Sequence, residues 1–154
     1  MKLVPVLAAI LLAVPAFAQA PAHAEVFSGK DIASQLASLL DAAKGPGSSG
    51  ATLGDYKSHA IKLSVRTASG GAEVHAHFDD ILFVTGGSAK LITGGTVVDS
   101  KTGADGESKG DRIQDGTART IAKGDVVHIP AGTPHQLILA PDETFSAIVI
   151  KVRE

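Results

Sequence analysis

The chain has no cysteine, no tryptophan, one tyrosine and one methionine among 154 residues. Without cysteine it can carry neither a disulfide nor a lipid-modified cysteine anchor, so packing alone must hold it together. Five phenylalanines and a single tyrosine are too few rings for a base-stacking platform. Excess charge of either sign is also missing. Fourteen basic residues against 16 acidic give a net charge of −2 with no basic cluster, which argues against nucleic-acid binding. What is abundant is glycine, with 17 residues, alongside seven prolines and many Val, Ile and Thr. That mixture favours an all-β fold with many turns. A hydrophobic share of 44% and a charged share of 19% fit one ordinary globular domain.

The first residues read as a targeting segment. Lys2 supplies a positive charge, Leu3 to Val14 an apolar run too short to span a membrane, and Ala16-Phe17-Ala18 the small residues a signal peptidase needs. Cleavage is expected after Ala18, with Ala20 or Ala24 as alternatives. The mature chain would then be periplasmic or secreted, without a membrane anchor and with a net charge of −3 after loss of Lys2. The predicted organisation is a signal peptide (1–18), a leader, helix and linker (19–50), and a β domain (51–154). Ser28 followed by Asp31 resembles a capping box. Ile32, Leu36, Leu39 and Leu40 then recur at helical spacing through about Ala43, predicting an amphipathic helix packed on the outside of the domain. Gly45 to Gly50 reads as a flexible connector, and His23, in the leader, has no assigned chemistry.

From Tyr56 the pattern becomes β. His59, Ile61, Leu63 and Val65 alternate with Ala60, Lys62, Ser64 and Arg66, which makes Arg66 an exterior strand charge in the first instance, with a forked hydrogen bond to an anionic substrate as the alternative. Further strands are expected at Val74–His77, Ile81–Thr85 (ended by Gly86-Gly87), Lys90–Thr93, Thr96–Val98, Thr117–Ile121, Val126–Ile129, Gln136–Leu139 and Thr144–Val152. Gly94-Gly95 signals a two-residue hairpin. Such a set suggests a sandwich or small barrel. Ser100 to Gly116 is polar and aperiodic, either a lid or a disordered loop.

Two stretches carry chemistry: His75-Ala76-His77-Phe78-Asp79-Asp80, and Gly124 to His135, which reads GDVVHIPAGTPH. On a strand, residues i and i+2 share a face, so His75 and His77 are expected to project together. Asp79 or Asp80 can follow from the strand end, and the Pro130–Gly132 turn would present His135 inward. Three imidazoles and a carboxylate suit divalent manganese, iron, nickel, copper or zinc. Burying three unpaired imidazoles would cost free energy that a metal offsets. Glu73 has the parity of the two histidines and is a candidate proton acceptor. His128 is a candidate acid–base group or a surface histidine. Gln136 should face away from the ligands.

The first stretch, from Gly71 to Gly87, resembles the first cupin motif, and the second resembles the second cupin motif through Gly124, Pro130, Gly132 and His135. The resemblance covers roughly Tyr56 to Val152. It departs in having aspartate for the usual glutamate, only two residues between His77 and Asp80, and Leu139 where an asparagine is common. It implies a single cupin (jelly-roll) β-barrel, with one N-terminal helix outside, whose metal is held by His75, His77, Asp80 and His135. It also makes a homodimer plausible through edge strands. The expected activity is that of a metalloenzyme on a small polar organic molecule: a dioxygenase first, then an isomerase or lyase. A non-catalytic small-molecule-binding protein is the alternative.

Overall fold

The computed structural model describes residues 23–154; the expected signal peptide lies outside them. Among the described residues no helix is long and apolar enough to cross a membrane. Helix α1 (Gly29–Ala43) begins where the capping pattern predicts. Ser28 Oγ accepts the Asp31 N–H at 3.1 Å and donates to the Asp31 carboxylate at 2.7 Å, satisfying an otherwise orphaned first-turn donor. Its stripe of Ile32, Leu36, Leu39 and Leu40 is half-buried and Ala43 fully buried, against strands β1 (Ser48–Asp55) and β2 (His59–Arg66). The connector expected over Gly45–Gly50 is shorter than that, because Ser48 already pairs with Arg66 in β1. The ladder to β2 satisfies main-chain groups whatever the side chains, so small Ser, Gly and Thr residues serve as well as apolar ones.

Ten more strands follow: β3 (Ala72–Val74), β4 (Phe78–Thr93), β5 (Thr96–Val98), β6 (Lys101–Thr102), β7 (Ser108–Gly110), β8 (Arg112–Gln114), β9 (Thr117–Ala122), β10 (Val126–Ile129), β11 (His135–Ile138) and β12 (Phe145–Arg153). They form a jelly roll of two facing halves that share β4. One half runs β1-β2-β12-β4-β10 and the other β9-β4-β11-β3-β7-β6, and hydrogen bonds do not close them into a cylinder. Gly86-Gly87 was expected to end a strand and instead bends one. Gly87 has φ +70°, and a Cβ there would lie 1.7 Å from the Thr144 carbonyl oxygen. The bend carries β4 from its partners β10 and β12 to its partners β9 and β11. Gly94-Gly95 does turn with positive φ at both residues, but β5 pairs with β8 rather than folding back on β4. Both edges of β4 there are already occupied by β9 and β11, so the hairpin has nowhere to form. Ser100–Gly116 is largely ordered, holding β6, β7 and β8.

The core takes Leu82, Val84 and Leu91 from β4, Ile121 from β9, and Phe145 and Ala147 from β12. Each large side chain buried this way contributes on the order of 1.5–3 kcal/mol. Strand β2 faces the opposite way from a simple amphipathic reading. Lys62, Ser64 and Arg66 line an interior cavity, whereas Leu63 and Val65, 1% and 2% exposed, turn outward by alternation to the side where α1 packs.

Candidate metal centre

A cavity of about 260 Å³ opens between the two halves. Glu73, His75 and His135 stand on one side of it, and Leu82, Ile129 and Phe145 give it an apolar floor. Glu73 on β3 is the register partner of His135 on β11, and directly opposed residues share a face at short range. His75 follows one residue beyond the end of β3. One ligand atom from each of Glu73, His75 and His135 lies within 4.8 Å of the others. The two distant stretches are locked together by the main chain, since Gly132 N donates to the His75 carbonyl at 2.8 Å.

Each histidine is oriented by its other nitrogen. His135 Nδ1 donates to the Thr133 carbonyl at 3.0 Å, leaving Nε2 for the cavity. His75 Nδ1 donates to the Glu107 carboxylate, so its Nε2 faces Asp80 Oδ2 at 3.3 Å and Glu73 Oε2 at 3.9 Å. Asp80 is also the cross-strand partner of Lys151, whose Nζ donates to Oδ1 at 2.5 Å.

The sequence-derived set is therefore only partly brought together. His75, Asp80 and His135 converge; His77 does not. Strand β3 ends at Val74 and the chain bends through Ala76 and His77 before β4 begins, so strand alternation no longer applies and the His77 side chain is exposed. Glu73 takes the place expected of the second first-motif histidine. With Glu73 and His75 as the paired positions, four residues separate the pair from Asp80. Asp79 turns away from the cluster: Oδ1 accepts the Ala131 N–H at 2.7 Å, and Oδ2 bonds His128 Nε2 at 2.9 Å. His128 leaves 57% of its side chain exposed on that outer side and is not among the residues lining the cavity. Gln136, which alternation turns away from the ligands, is nevertheless among the cavity-lining residues; its buried side chain accepts from Ile113 N and donates to the Gly70 carbonyl, latching the β8 segment.

The titration behaviour follows from these contacts. Burial alone would depress the His75 pKa, but its bonds to Asp80 and Glu107 outweigh burial and raise it above 6.5. Burial, reinforced by the nearby His75, lowers the His135 pKa. Burial pushes the Asp80 carboxyl up, yet His75 and Lys151 together pull it below the ordinary aspartate value.

Two imidazole nitrogens and the Glu73 carboxylate oxygen form a donor set that suits a divalent transition ion, with the Asp80 carboxylate beside it. The Glu107 carboxylate on the far nitrogen of His75 is the partner a metal-ligating histidine characteristically has. Glu107 Oε1 is itself buried without a hydrogen-bond partner. Sequence reasoning missed Glu107, which sits in an aperiodic polar segment. Its position depends on the β3–β7 pairing, which sets Glu73 opposite Lys109.

No family model matches the chain, and no curated protein is significantly similar to it in sequence. Solved structures are similar in fold. A conserved protein with a double-stranded β-helix domain from Klebsiella pneumoniae superposes with a TM-score of 0.57 at 14% identity, covering 85% of this chain and 91% of its own. The polyketide cyclase RemF from Streptomyces resistomycificus gives 0.51 at 16% identity, covering 70% and 66%. The DMSP lyase DddQ from Ruegeria pomeroyi gives 0.50 at 20% identity, covering 70% and 47%. The matches thus span just under two thirds of the cyclase and about half of the lyase. They show a shared double-stranded β-helix, the fold of the cupins that the two motifs resemble.

Proposed function

Taking the chain as a protein of the cupin fold, we propose that it is an exported metalloenzyme that moves a proton on a small carbonyl compound, an isomerase-, lyase- or cyclase-like reaction. The observation that carries this reading is the convergence of Glu73, His75 and His135 around one point, with His75 fixed by Glu107. A divalent ion held there supplies Lewis acidity toward a carbonyl oxygen. Asp80, kept ionised by His75 and Lys151, offers a carboxylate beside that point to accept the substrate proton. Leu82, Ile129 and Phe145 restrict water on the apolar side. The fold is compatible with such enzymes, being shared with a polyketide cyclase and a DMSP lyase. The Asp80 carboxylate beside the cluster is what favours proton transfer over oxygenation.

Export rests on Lys2, the Leu3–Val14 run and Ala16-Phe17-Ala18. It is tested by the intact mass of the protein from a periplasmic fraction, expected to begin at Gln19. For the activity, the mature chain is purified without chelator and its metals are measured by mass spectrometry. Solvent deuterium incorporation into a panel of keto acids and diketones is then followed by NMR after loading with Mn, Fe, Ni, Cu or Zn. About one metal per chain with metal-dependent exchange supports the reading. One metal with no turnover of any compound favours a binding protein instead, and no metal retention refutes the centre.

A further inference from the structure

The cavity holds three cations and treats them differently. Lys151 is taken by Asp80. Lys62 and Arg66, on the inward face of β2, have no carboxylate partner among the described residues, and Arg66 Nε is buried with no hydrogen bond. A buried guanidinium nitrogen without an acceptor costs free energy, and native proteins rarely leave one so. Its location is also built. Gly70 is held by its N–H to the Leu137 carbonyl and by Gln136 to its own carbonyl. A Cβ at residue 70 would lie 2.6 Å from Arg66 Nη1, so any side chain there would push the guanidinium from its present position.

We propose that Arg66 is the anchor for the carboxylate of a small organic acid, with Lys62 as a second attracting charge. The inference rests on the cavity being the ligand site, and it adds the class of ligand. Arg66 lines the cavity from β2, whereas the Glu73–His75–His135 cluster stands on the β3–β11 side. The acid group is therefore held at one end of the cavity while the other end of the molecule reaches the cluster, its body over the apolar floor. The charges agree. The three cations outnumber the lining carboxylates Glu73 and Asp80, and a divalent ion would add to that excess, so the cavity favours an anionic ligand. One planar fork with a single neighbouring lysine matches a carboxylate. A phosphate dianion calls for more donors, such as a helix N-terminus, and the cavity walls are strands.

Hexanoate, hexanol and hexyl phosphate are the probes, titrated by calorimetry into the mature protein both in chelator and with zinc. Hexanoate is expected to bind about tenfold or more tightly than hexanol. Arg66→Gln should abolish that difference, and Arg66→Lys should restore part of it. Gly70→Ala, which keeps the arginine but displaces it, should weaken hexanoate without affecting hexanol. Circular dichroism and zinc content verify that each variant is folded and still binds metal. Equal hexanoate affinity in the parent and in folded Arg66→Gln overturns the anchor, and preference for hexyl phosphate overturns the carboxylate assignment. Arg66-dependent hexanoate binding in a protein that retains no metal would uphold the anchor while the metal reading fails. Normal zinc content with no acid preference would do the reverse.

Discussion

Glu73 stands directly opposite His135 in the β3–β11 pairing, so a carboxylate and an imidazole from opposite ends of the sequence pattern share one face of one sheet. Loss of either should empty the centre. Glu73→Gln, His75→Ala and His135→Ala are each expected to lower metal affinity at least about tenfold, as removal of a direct donor should cost no less than removal of a supporting one. His77→Ala should leave it unchanged, because its side chain is exposed away from the cluster. Metal content by mass spectrometry distinguishes this set from one built on His77.

Glu107 removes no ligand when mutated, yet Glu107→Gln should weaken metal binding about 10–100-fold by releasing the His75 ring. Nitrogen NMR on labelled histidine would show the tautomer at His75 becoming mixed. A variant with parental metal affinity and an unchanged His75 spectrum would mean that this carboxylate does not set the ring.

His75 and His135 should titrate on opposite sides of 6.5 in the metal-free protein, His75 above and His135 below. Because the folded value of His75 is raised, its contribution to stability is complete below about pH 6.5 and is lost as pH climbs through that raised value. His135 behaves inversely: its contribution is present above about pH 6.5 and is lost as pH falls through its depressed value. Histidine NMR titrations in chelator read both. The stability gap between parent and His75→Gln should narrow as pH rises past neutrality.

The Asp79 carboxyl is held below its ordinary value first by His128 and then by the Ala131 N–H. Its stabilising effect is therefore present above about pH 4 and is lost as pH falls through the lowered value. Asp79→Asn should shift acid unfolding to higher pH while leaving metal content intact, because Asp79 braces the outer side of the Pro130–Gly132 turn.

Gly87→Ala should destabilise the protein by at least about 2 kcal/mol in urea unfolding, combining left-handed strain with a steric clash. Gly94→Ala, at φ +73° but with nothing within 4 Å of the added Cβ, should cost only about 1 kcal/mol.

Local pattern made much of this molecule legible. Alternation located β9, β10 and β12 to within a residue or two, and the Ser28–Asp31 pair placed the start of α1. The Pro130–Gly132 turn correctly implied an inward His135. What escaped were facts that depend on partners distant in sequence. Nothing local says that β3 stops at Val74, so His77 read as sharing a face with His75 when its side chain is exposed and Glu73 stands beside His75 and His135. Glu107 becomes meaningful only once β7 pairs with β3. Arg66 read as an exterior charge first and as a partner for an anionic substrate only second, because the apolar side of a strand is normally its inner side, and here α1 reverses that rule.

That reversal has a wider result. Because α1 shields the greasy side of β2, the folding energy of this strand is gathered outside the jelly roll, leaving Lys62, Ser64 and Arg66 without a share in core packing. Substitutions at those three positions can retune what the chamber accepts with little penalty to folding. A helix on the outer side of β2 thereby leaves the lining of the cavity free to vary.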